Sequence, residues 1–289
     1  MKSIHCLFDI GTIFLIYKLL PKFNIEKKWV LLYALNPLII IELIGNLHHE
    51  GIVIFFIMLS LILLHTEKVL LAGIAMAGAI ATKILPILFC PLIFFYLKGT
   101  KRWIFAVSTF VATAILFYPL IHDVTIITNI LDSADLYLRK FEFNGGLYYL
   151  YRAFGQAIYG YNTIQTLGPI LMSTSVVFIV SIAILPLFKK VETSHLPVLM
   201  MMTYASYVLL SITIHPWYVA LLIPLSLFTP YRSPILWSGL ILATYINYSF
   251  DSYFEPLWVV AIEYILFYGY LIFEIKRFGW PTTHLARLR

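Results

Sequence analysis

The stretch WIFAVSTFVATAILFYPLI, residues 103–121, carries no charged side chain. The stretch TSVVFIVSIAILPLF, residues 174–188, is equally apolar. A helix needs about 20 apolar residues to cross the ~30 Å hydrocarbon core of a bilayer, whereas a spanning strand needs about 10 residues that alternate in polarity. These long unbroken stretches therefore predict transmembrane helices rather than a β-barrel.

Composition extends this prediction to the whole chain. Hydrophobic residues make up 61% of the 289 residues, charged residues only 12%, and the mean hydropathy is +0.91. A soluble domain could not cover its surface with so few charges. We predict an all-α, polytopic transmembrane helical bundle that forms one domain over residues 1–289. About nine predicted spans lie at Ile4–Leu20, Trp29–Gly45, Glu50–Leu64, Trp103–Ile121, Ile164–Phe188, Leu196–Ile214, Trp217–Phe228, Ile235–Phe250 and Pro256–Ile275.

A further apolar stretch, Val69–Leu97, is interrupted by Thr82 and Lys83 and then by two prolines. Each arm has only about 14 residues, which is short for a full span at ~1.5 Å rise per residue. The pattern predicts a broken or re-entrant helical hairpin with Lys83 near its tip.

Basic residues predict the orientation of the bundle, because short loops rich in lysine and arginine stay in the cytoplasm. They cluster at Lys18–Lys28, Lys98–Arg102, Lys189–Lys190 and Lys276–Arg289. Alternating spans then place Asn46–Glu50, a loop at about 122–163, His215 and Asp251–Glu255 on the non-cytoplasmic face. The C-terminus is predicted to be cytoplasmic. The net charge of +6 is thereby explained without nucleic acid as a partner.

The same alternation makes the first span run from outside to inside. Residue 1 then starts outside with about three residues before the span, and no cleavable signal pattern is present. We therefore expect an upstream span and a first outer loop in the complete protein.

The first candidate site is a polar corner after Asn36-Pro37. Glu42 lies within a predicted span and is followed by Asn46, His48, His49 and Glu50. Ionisable groups within spans are costly and usually face the bundle interior or a wet cavity. Histidines and acids here suit acid–base chemistry or phosphate binding. A solvated turn is the alternative for His48, His49 and Glu50. A metal site is poorly supported, because adjacent helical histidines point about 100° apart.

The second candidate is Lys83, a lone cation in Thr82-Lys83-Ile84-Leu85-Pro86. A cation at a helix break suits a lipid phosphate. Alternatively, it extends to the interface or pairs structurally with Glu42 or Glu50.

The third candidate is the corner His215-Pro216-Trp217-Tyr218, where proline ends a helix. Trp217 and Tyr218 could stack on a sugar or prenyl chain. An interfacial aromatic belt is the competing interpretation for these two rings. In the loop before it, Ile130–Phe143 is predicted to form an amphipathic interfacial helix, and only Arg139 and Asn144 are weak candidates for function.

Other chemistries lack their motifs. The sequence contains no Walker loop, no His-Glu-x-x-His helix and no Gly-x-Ser-x-Gly elbow. Cys6 and Cys90 have no partners at metal-ligand spacing, and we expect them to be packing residues.

Three stretches, in order, resemble the GT-C superfamily of membrane glycosyltransferases, in particular bacterial polyprenyl-phosphate-mannose-dependent mannosyltransferases. They are Asn36–His48, Thr82–Pro86 with Pro91 following, and His215–Tyr218. The resemblance covers about residues 30–225.

This resemblance implies transfer of a hexose, mannose above others, from a polyprenyl-phosphate-sugar donor to a glycan or glycolipid acceptor on the non-cytoplasmic face. It implies a bacterial inner membrane location, with membrane lipid as a further partner. Lys83 and His215 would contact the donor phosphate, with Asn46, His48, His49, Trp217 and Tyr218 as further substrate-binding residues. No cofactor is required by the pattern, and a divalent metal remains open.

The family's catalytic acid lies in its first outer loop, and no residue of this chain matches it. Glu42 and Glu50 are therefore the candidate catalytic acids. A transporter or lipid-carrier flippase is the leading alternative, because broken helices with an embedded lysine also occur in transporters. A catalytically incomplete membrane subunit is the third.

Overall fold

The computed structural model describes residues 1–120, 124–249, 251 and 254–282, and the secondary structure of this part is helical apart from one isolated bridge. The all-α fold class is therefore confirmed. The α-helices are α1 Lys2–Leu19, α2 Leu31–Ala34, α3 Glu50–His65, α4 Val69–Thr82, α5 Cys90–Tyr96, α6 Thr100–Phe117, α7 Val124–Arg139, α8 Gly146–Tyr159, α9 Ile164–Ala183, α10 Leu185–Phe188, α11 Leu196–Leu209, α12 Pro216–Val219, α13 Leu222–Ser226, α14 Ser233–Leu240 and α15 Leu257–Phe278. Short 3-10 or π turns lie at Leu20–Phe23, Lys27–Val30, Ile39–Gly45, Leu85–Phe89, Thr193–His195 and Ile241–Ser249.

Within the described residues, four helical segments are long and apolar enough to cross a membrane, and a bent pair would make five. The four are Lys2–Phe23, Thr100–Phe117, Ile164–Phe188 and Leu257–Phe278. The chain is thus an integral membrane protein, and the number of about nine spans stays a prediction. Shorter apolar helical segments lie at Glu50–His65, Val69–Thr82, Leu85–Tyr96 and Pro216–Ser226.

The predicted span Trp29–Gly45 is not a single continuous helix. It is a bent pair, Lys27–Ala34 and Ile39–Gly45, whose axes differ by 62°. Pro37 lacks a backbone N–H, and the side chain of Asn36 accepts a hydrogen bond from the Leu38 N–H at 2.9 Å. Local bonding by an asparagine before a proline competes with the helix ladder and breaks it.

Two other predicted spans are too long as single helices. The span Leu196–Ile214 ends as a helix at Leu209, because the chain beyond it pairs with the loop after α7. Residues of the span Ile235–Phe250 continue beyond Leu240 as a 3-10 turn to Ser249, and Phe250 lies outside the described residues. The span Trp103–Ile121 is displaced toward the N-terminus, at Thr100–Phe117, and residue 121 is also outside the described part.

The hairpin Val69–Leu97 has the predicted helix, break and helix. Helix α4 ends at Thr82, and Lys83 has extended backbone with φ −148° and ψ 138°. A 3-10 turn that starts with Leu85 and Pro86 then leads into α5. The extended residue sets the Lys83 side chain apart from both helix surfaces, and its re-entrant course in the membrane stays a prediction.

Helices α4 and α6 approach closely at Gly73. A Cβ atom at this position would lie 2.0 Å from Ser108 Oγ and 2.8 Å from the Phe105 carbonyl oxygen. Small residues allow such close contact between membrane helices, where packing replaces the hydrophobic effect as the driving force. The contact fixes the arm of the hairpin that leads to Lys83.

The basic loops gather at one end of the bundle, here named the basic end. Phe23 packs on Phe228, Lys101 pairs with Glu67 at 2.9 Å, and Lys98 Nζ donates to the Pro186 carbonyl at 3.4 Å. These contacts bring several of the basic loops together, and the location of all four basic clusters in the cytoplasm stays a prediction. Arg287 and Arg289, which were predicted to join them, lie outside the described residues.

The loop predicted at about 122–163 contains two helices, α7 and α8. The predicted interfacial helix Ile130–Phe143 was wrong in its bounds, since α7 runs from Val124 to Arg139. Phe143 lies beyond the end of α7 and pairs with another segment instead. Its N–H donates to the Ile212 carbonyl at 3.2 Å, and its carbonyl accepts from the Ile214 N–H at 2.8 Å. His122 and Asp123 lie outside the described residues.

Candidate functional site

Two histidines from distant parts of the chain stack on one tryptophan, at the end of the bundle opposite the basic end. The His48 ring lies 3.7 Å from the Trp217 ring, centroid to centroid, at 19°. The His215 ring lies 4.4 Å from the same indole at 10°. Such close, nearly parallel aromatic rings fix each other's orientation. The structure therefore brings the first and third predicted clusters together.

Local backbone geometry positions each histidine. Leu47 adopts a positive φ of 61°, so the chain turns sharply and the His48 N–H donates to the Glu42 carbonyl at 3.0 Å. His215 is extended, with φ −75° and ψ 153°, directly before Pro216 at the start of α12. Phe143, whose backbone pairs with Ile212 and Ile214, also stacks on His215, with the ring centroids 4.9 Å apart.

Glu42 lies in the π-helical turn Ile39–Gly45 and is fully buried. The hydroxyl of Tyr245 donates to Glu42 Oε1, and the Asn46 amide donates to Oε2 at 3.2 Å. His48 Nε2 lies 3.4 Å from the same Oε2. Local π-helical geometry often occurs at functional sites. Glu42 is thus enclosed by partners and orients His48.

Lys83 forms a second polar pair close to the first. Its ammonium binds Glu50 Oε1 and lies 5.4 Å from the centre of the Tyr218 ring. Glu50 is buried, and its Oε2 has no hydrogen-bond partner within the described structure. Of the two predicted pairings, Lys83 therefore selects Glu50 and not Glu42.

His49 points away from these groups. Its ring contacts the ring of His5 edge-on at 5.3 Å. His49 is therefore the predicted site residue that the structure connects least to the Trp217 stack.

Burial lowers the basicity of both stacked histidines. It is the largest cause that lowers the pKa of His215 to about 4, followed by the positive charge of Lys83 and by His48. Burial, then Lys83, then His49 lower the pKa of His48 to about 4. The Glu42 carboxylate 3.4 Å away opposes the shift at His48. Both imidazoles are neutral at pH 7.

A separate polar network fixes the loop that carries Phe143. Asn144 is fully buried, its N–H donates to Glu255 at 2.7 Å, and its side-chain amide donates to Glu263 at 3.1 Å. Burial raises the pKa of Glu255, while hydrogen bonds from Tyr149 and Asn144 act against this shift. The candidate Asn144 thus connects α15 to the His215 corner, whereas Arg139 forms an exposed pair with Asp135.

Among the described residues, no group of three histidine, cysteine, aspartate or glutamate side chains converges to hold a metal ion. The Glu50 carboxylate pairs with the Lys83 ammonium. Cys6 and Cys90 are free thiols.

Tyr245 is the site residue that the sequence did not indicate. Its hydroxyl contacts both Glu42 and, at 3.0 Å, the Asn46 amide. It lies in a predicted span among other tyrosines, and no spacing distinguishes it from an ordinary interfacial aromatic. An intramembrane acid that needs a donor was the only signal of such a partner.

Comparison with known families identifies the N-terminal part of the chain. Residues 7–99 match the model of the MptA/B family, described as alpha-(1->6)-mannopyranosyltransferase, N-terminal domain. This range contains Glu42, His48, Glu50 and Lys83. The predicted resemblance to polyprenyl-phosphate-mannose-dependent mannosyltransferases is thereby confirmed, and the match points to a mannosyltransferase. No curated protein matches the chain.

Proposed function

We propose that the chain transfers a hexose from a polyprenyl-phosphate-linked donor to a glycan or glycolipid acceptor, with mannose as the favoured hexose. The observation that carries this proposal is the position of Lys83. It is a cation at a helix break, beside a buried carboxylate and two neutral histidines, within the range that matches the mannosyltransferase family. When Glu50 accepts a proton as a base, Lys83 loses its carboxylate partner. The negative charge of a lipid-linked phosphate would then pair with Lys83.

In the proposed reaction, the acceptor hydroxyl oxygen attacks the anomeric carbon and the bond from that carbon to the phosphate oxygen breaks. The hydroxyl proton passes to a carboxylate, and the phosphate leaves with the electron pair. Lys83 stabilises the charge that develops on the departing phosphate. His215, neutral and with an unpartnered Nδ1 in the described structure, donates a hydrogen bond to the same group.

Glu50 is the better of the two candidate bases. Its Oε2 has no partner, while both oxygens of Glu42 are occupied by Tyr245, Asn46 and His48. A carboxylate that must accept a proton needs a free lone pair within hydrogen-bond reach. We therefore assign Glu50 as the base and Glu42 as a positioning residue for His48.

We propose that the reaction takes place on the non-cytoplasmic face. The basic end would face the cytoplasm, since lysine- and arginine-rich short loops remain there, and the Trp217 stack lies at the opposite end. Four further helical segments would also lie in the bilayer, namely Glu50–His65, Leu196–Leu209, Pro216–Ser226 and Ser233–Leu240. With the four long helices and the bent pair they give the predicted total of about nine spans, in addition to the broken hairpin. A bacterial inner membrane is the location that fits a polyprenyl-phosphate donor.

Purified chain in lipid vesicles tests the function directly. Polyprenyl-phosphate-[3H]mannose with a soluble mannoside acceptor should yield labelled product that depends on the chain. Movement of the labelled donor between leaflets without product would favour the flippase. Neither product nor donor binding would overturn the proposal and favour a noncatalytic subunit.

A further inference from the structure

A partly open cavity of about 270 Å³ adjoins the site. It lies between α7, the N-terminal half of α9 and the segment that follows α11. Its volume is just below the ~300–1,000 Å³ of most ligand sites, which suits a ligand with a single ring. None of the residues assigned to the proposed transfer other than Tyr218 lines it.

Most of the residues that line the cavity carry a hydroxyl group, set among apolar wall surface. Tyr137, Tyr207 and Tyr218 contribute phenols, and Ser175 and Ser211 contribute aliphatic hydroxyls. Ser211 Oγ donates to the Tyr207 carbonyl at 2.8 Å, which leaves its oxygen free to accept. Among the described residues that line the cavity, none carries a formal charge. Such walls suit a neutral polyhydroxylated ligand rather than an anion or a cation.

The Ser175 hydroxyl, in the wall of the cavity, lacks a hydrogen-bond partner. Its residue is 1% exposed, and its Oγ has no hydrogen-bond partner within the described structure. Buried hydroxyls are nearly always hydrogen-bonded, because leaving one unpaired costs free energy. Since Ser175 lines the cavity, a hydroxyl of a ligand bound there would supply the missing partner.

The cavity shares walls with the Lys83 site. Tyr218 lines the cavity while Lys83 Nζ lies 5.4 Å from its ring centre. Tyr137 also lines it, and its ring lies 6.4 Å from that of His215. A ring bound in the cavity would therefore lie next to the groups assigned to the donor phosphate.

We propose that this cavity binds a hexose ring, with Ser175 as a hydrogen-bond partner and the tyrosine rings as apolar walls. The proposal rests on the proposed function in one respect, namely which molecule carries the hexose. This is either the donor or the acceptor, through its terminal sugar. In both cases the recognised chemistry is the same set of neutral ring hydroxyls.

Binding to the purified chain in vesicles tests the site. The probes are octyl α-mannoside, polyprenyl-phosphate-mannose and polyprenyl phosphate. Ser175→Leu fills the cavity and should weaken binding of a mannose-bearing probe at least tenfold, while polyprenyl phosphate binds unchanged. Loss of the octyl mannoside alone identifies the acceptor sugar, and loss of polyprenyl-phosphate-mannose identifies the donor sugar.

Two variants guard against misfolding. Ser175→Ala removes only the hydroxyl and should weaken the same probe about threefold or more. Ser173→Leu makes the same side-chain change at a nearby, exposed position of α9 and should change nothing. Unchanged binding of both mannose-bearing probes in Ser175→Leu, or no binding of either probe to the wild-type chain, overturns the cavity proposal. If the mannoside binds through Ser175 while polyprenyl phosphate does not bind at all, the hexose site stands and the proposed transfer from a lipid phosphate falls.

Discussion

The imidazole of His48 stacks on the indole of Trp217, with ring centroids 3.7 Å apart, although the two residues come from opposite parts of the chain. His48 follows the π-helical turn that holds Glu42, and Trp217 lies in the first turn of the helix after His215. The contact therefore joins the segment that matches the mannosyltransferase family to a segment outside the matched range. Any donor bound at Lys83 would meet side chains from both.

The stack itself should be needed for donor binding. Trp217→Ala removes the surface on which both imidazoles lie, and each aromatic pair contributes about 0.5–1.5 kcal/mol. We expect donor affinity to fall about tenfold and Trp217→Phe to retain most of it, measured with polyprenyl-phosphate-[3H]mannose. Trp103→Ala, at a 61% exposed indole on α6, is the control. Equal binding by the two Trp217 variants and the control would contradict this role.

Lys83 should act through its charge. Lys83→Ala should reduce sugar transfer at least tenfold, since hydrogen bonds to charged groups contribute about 1.5–3 kcal/mol and about 1.4 kcal/mol corresponds to a factor of ten. The rate of transfer from labelled donor measures this. Lys101→Ala breaks an exposed ion pair at the basic end and should leave the rate unchanged. A Lys83→Ala variant with the wild-type rate would remove Lys83 from the site.

The two buried acids should differ in severity. Glu50→Gln removes the proposed base and should lower kcat at least a hundredfold, because general bases contribute about 10²–10⁴. Glu42→Gln disturbs only the orientation of His48 and should cost about tenfold. Tyr245→Phe should lower kcat about as much as Glu42→Gln. Because the two residues act through one hydrogen bond, the double variant Glu42→Gln/Tyr245→Phe should lower kcat by less than the product of the two single effects. A larger loss for Glu42→Gln than for Glu50→Gln would reverse the assignment.

His215 should remain neutral in mildly acidic solution. With its pKa lowered to about 4, its imidazole signal in histidine-labelled protein should stay constant from pH 7.5 to 5.5, assigned by its absence in His215→Gln. Because the folded-state pKa lies below the unfolded value of about 6.5, the stabilisation is complete above pH 6.5 and is lost as the pH falls toward 4. An NMR titration midpoint above pH 6 would disprove the burial of this group.

The sidedness can be tested by cysteine accessibility. With Cys6 and Cys90 replaced by serine, a cysteine at position 161, an exposed site in the loop predicted at about 122–163, should react with a membrane-impermeant reagent from the non-cytoplasmic side of intact membranes. A cysteine at the exposed position 100 should react only in inverted vesicles. The opposite pattern would place the Trp217 stack in the cytoplasm.

The sequence by itself determined that the chain is helical and membrane-embedded, because lipid allows no unpaired backbone and apolar length is a local property. It also indicated the break at Lys83, since a lone cation followed by Pro86 cannot continue an apolar helix unperturbed. The sequence did not predict the bend at Asn36-Pro37, although both residues belong to the first candidate site.

Only the tertiary structure decided which polar groups meet. The pairing of Lys83 with Glu50, the enclosure of Glu42 by Tyr245 and the contact of Phe143 with His215 join segments far apart in the chain. Within apolar spans, periodicity hardly distinguishes helix faces, because lipid-facing and buried side chains are equally hydrophobic. Close packing of particular side chains, such as that of Gly73 against Ser108, selects the partners instead.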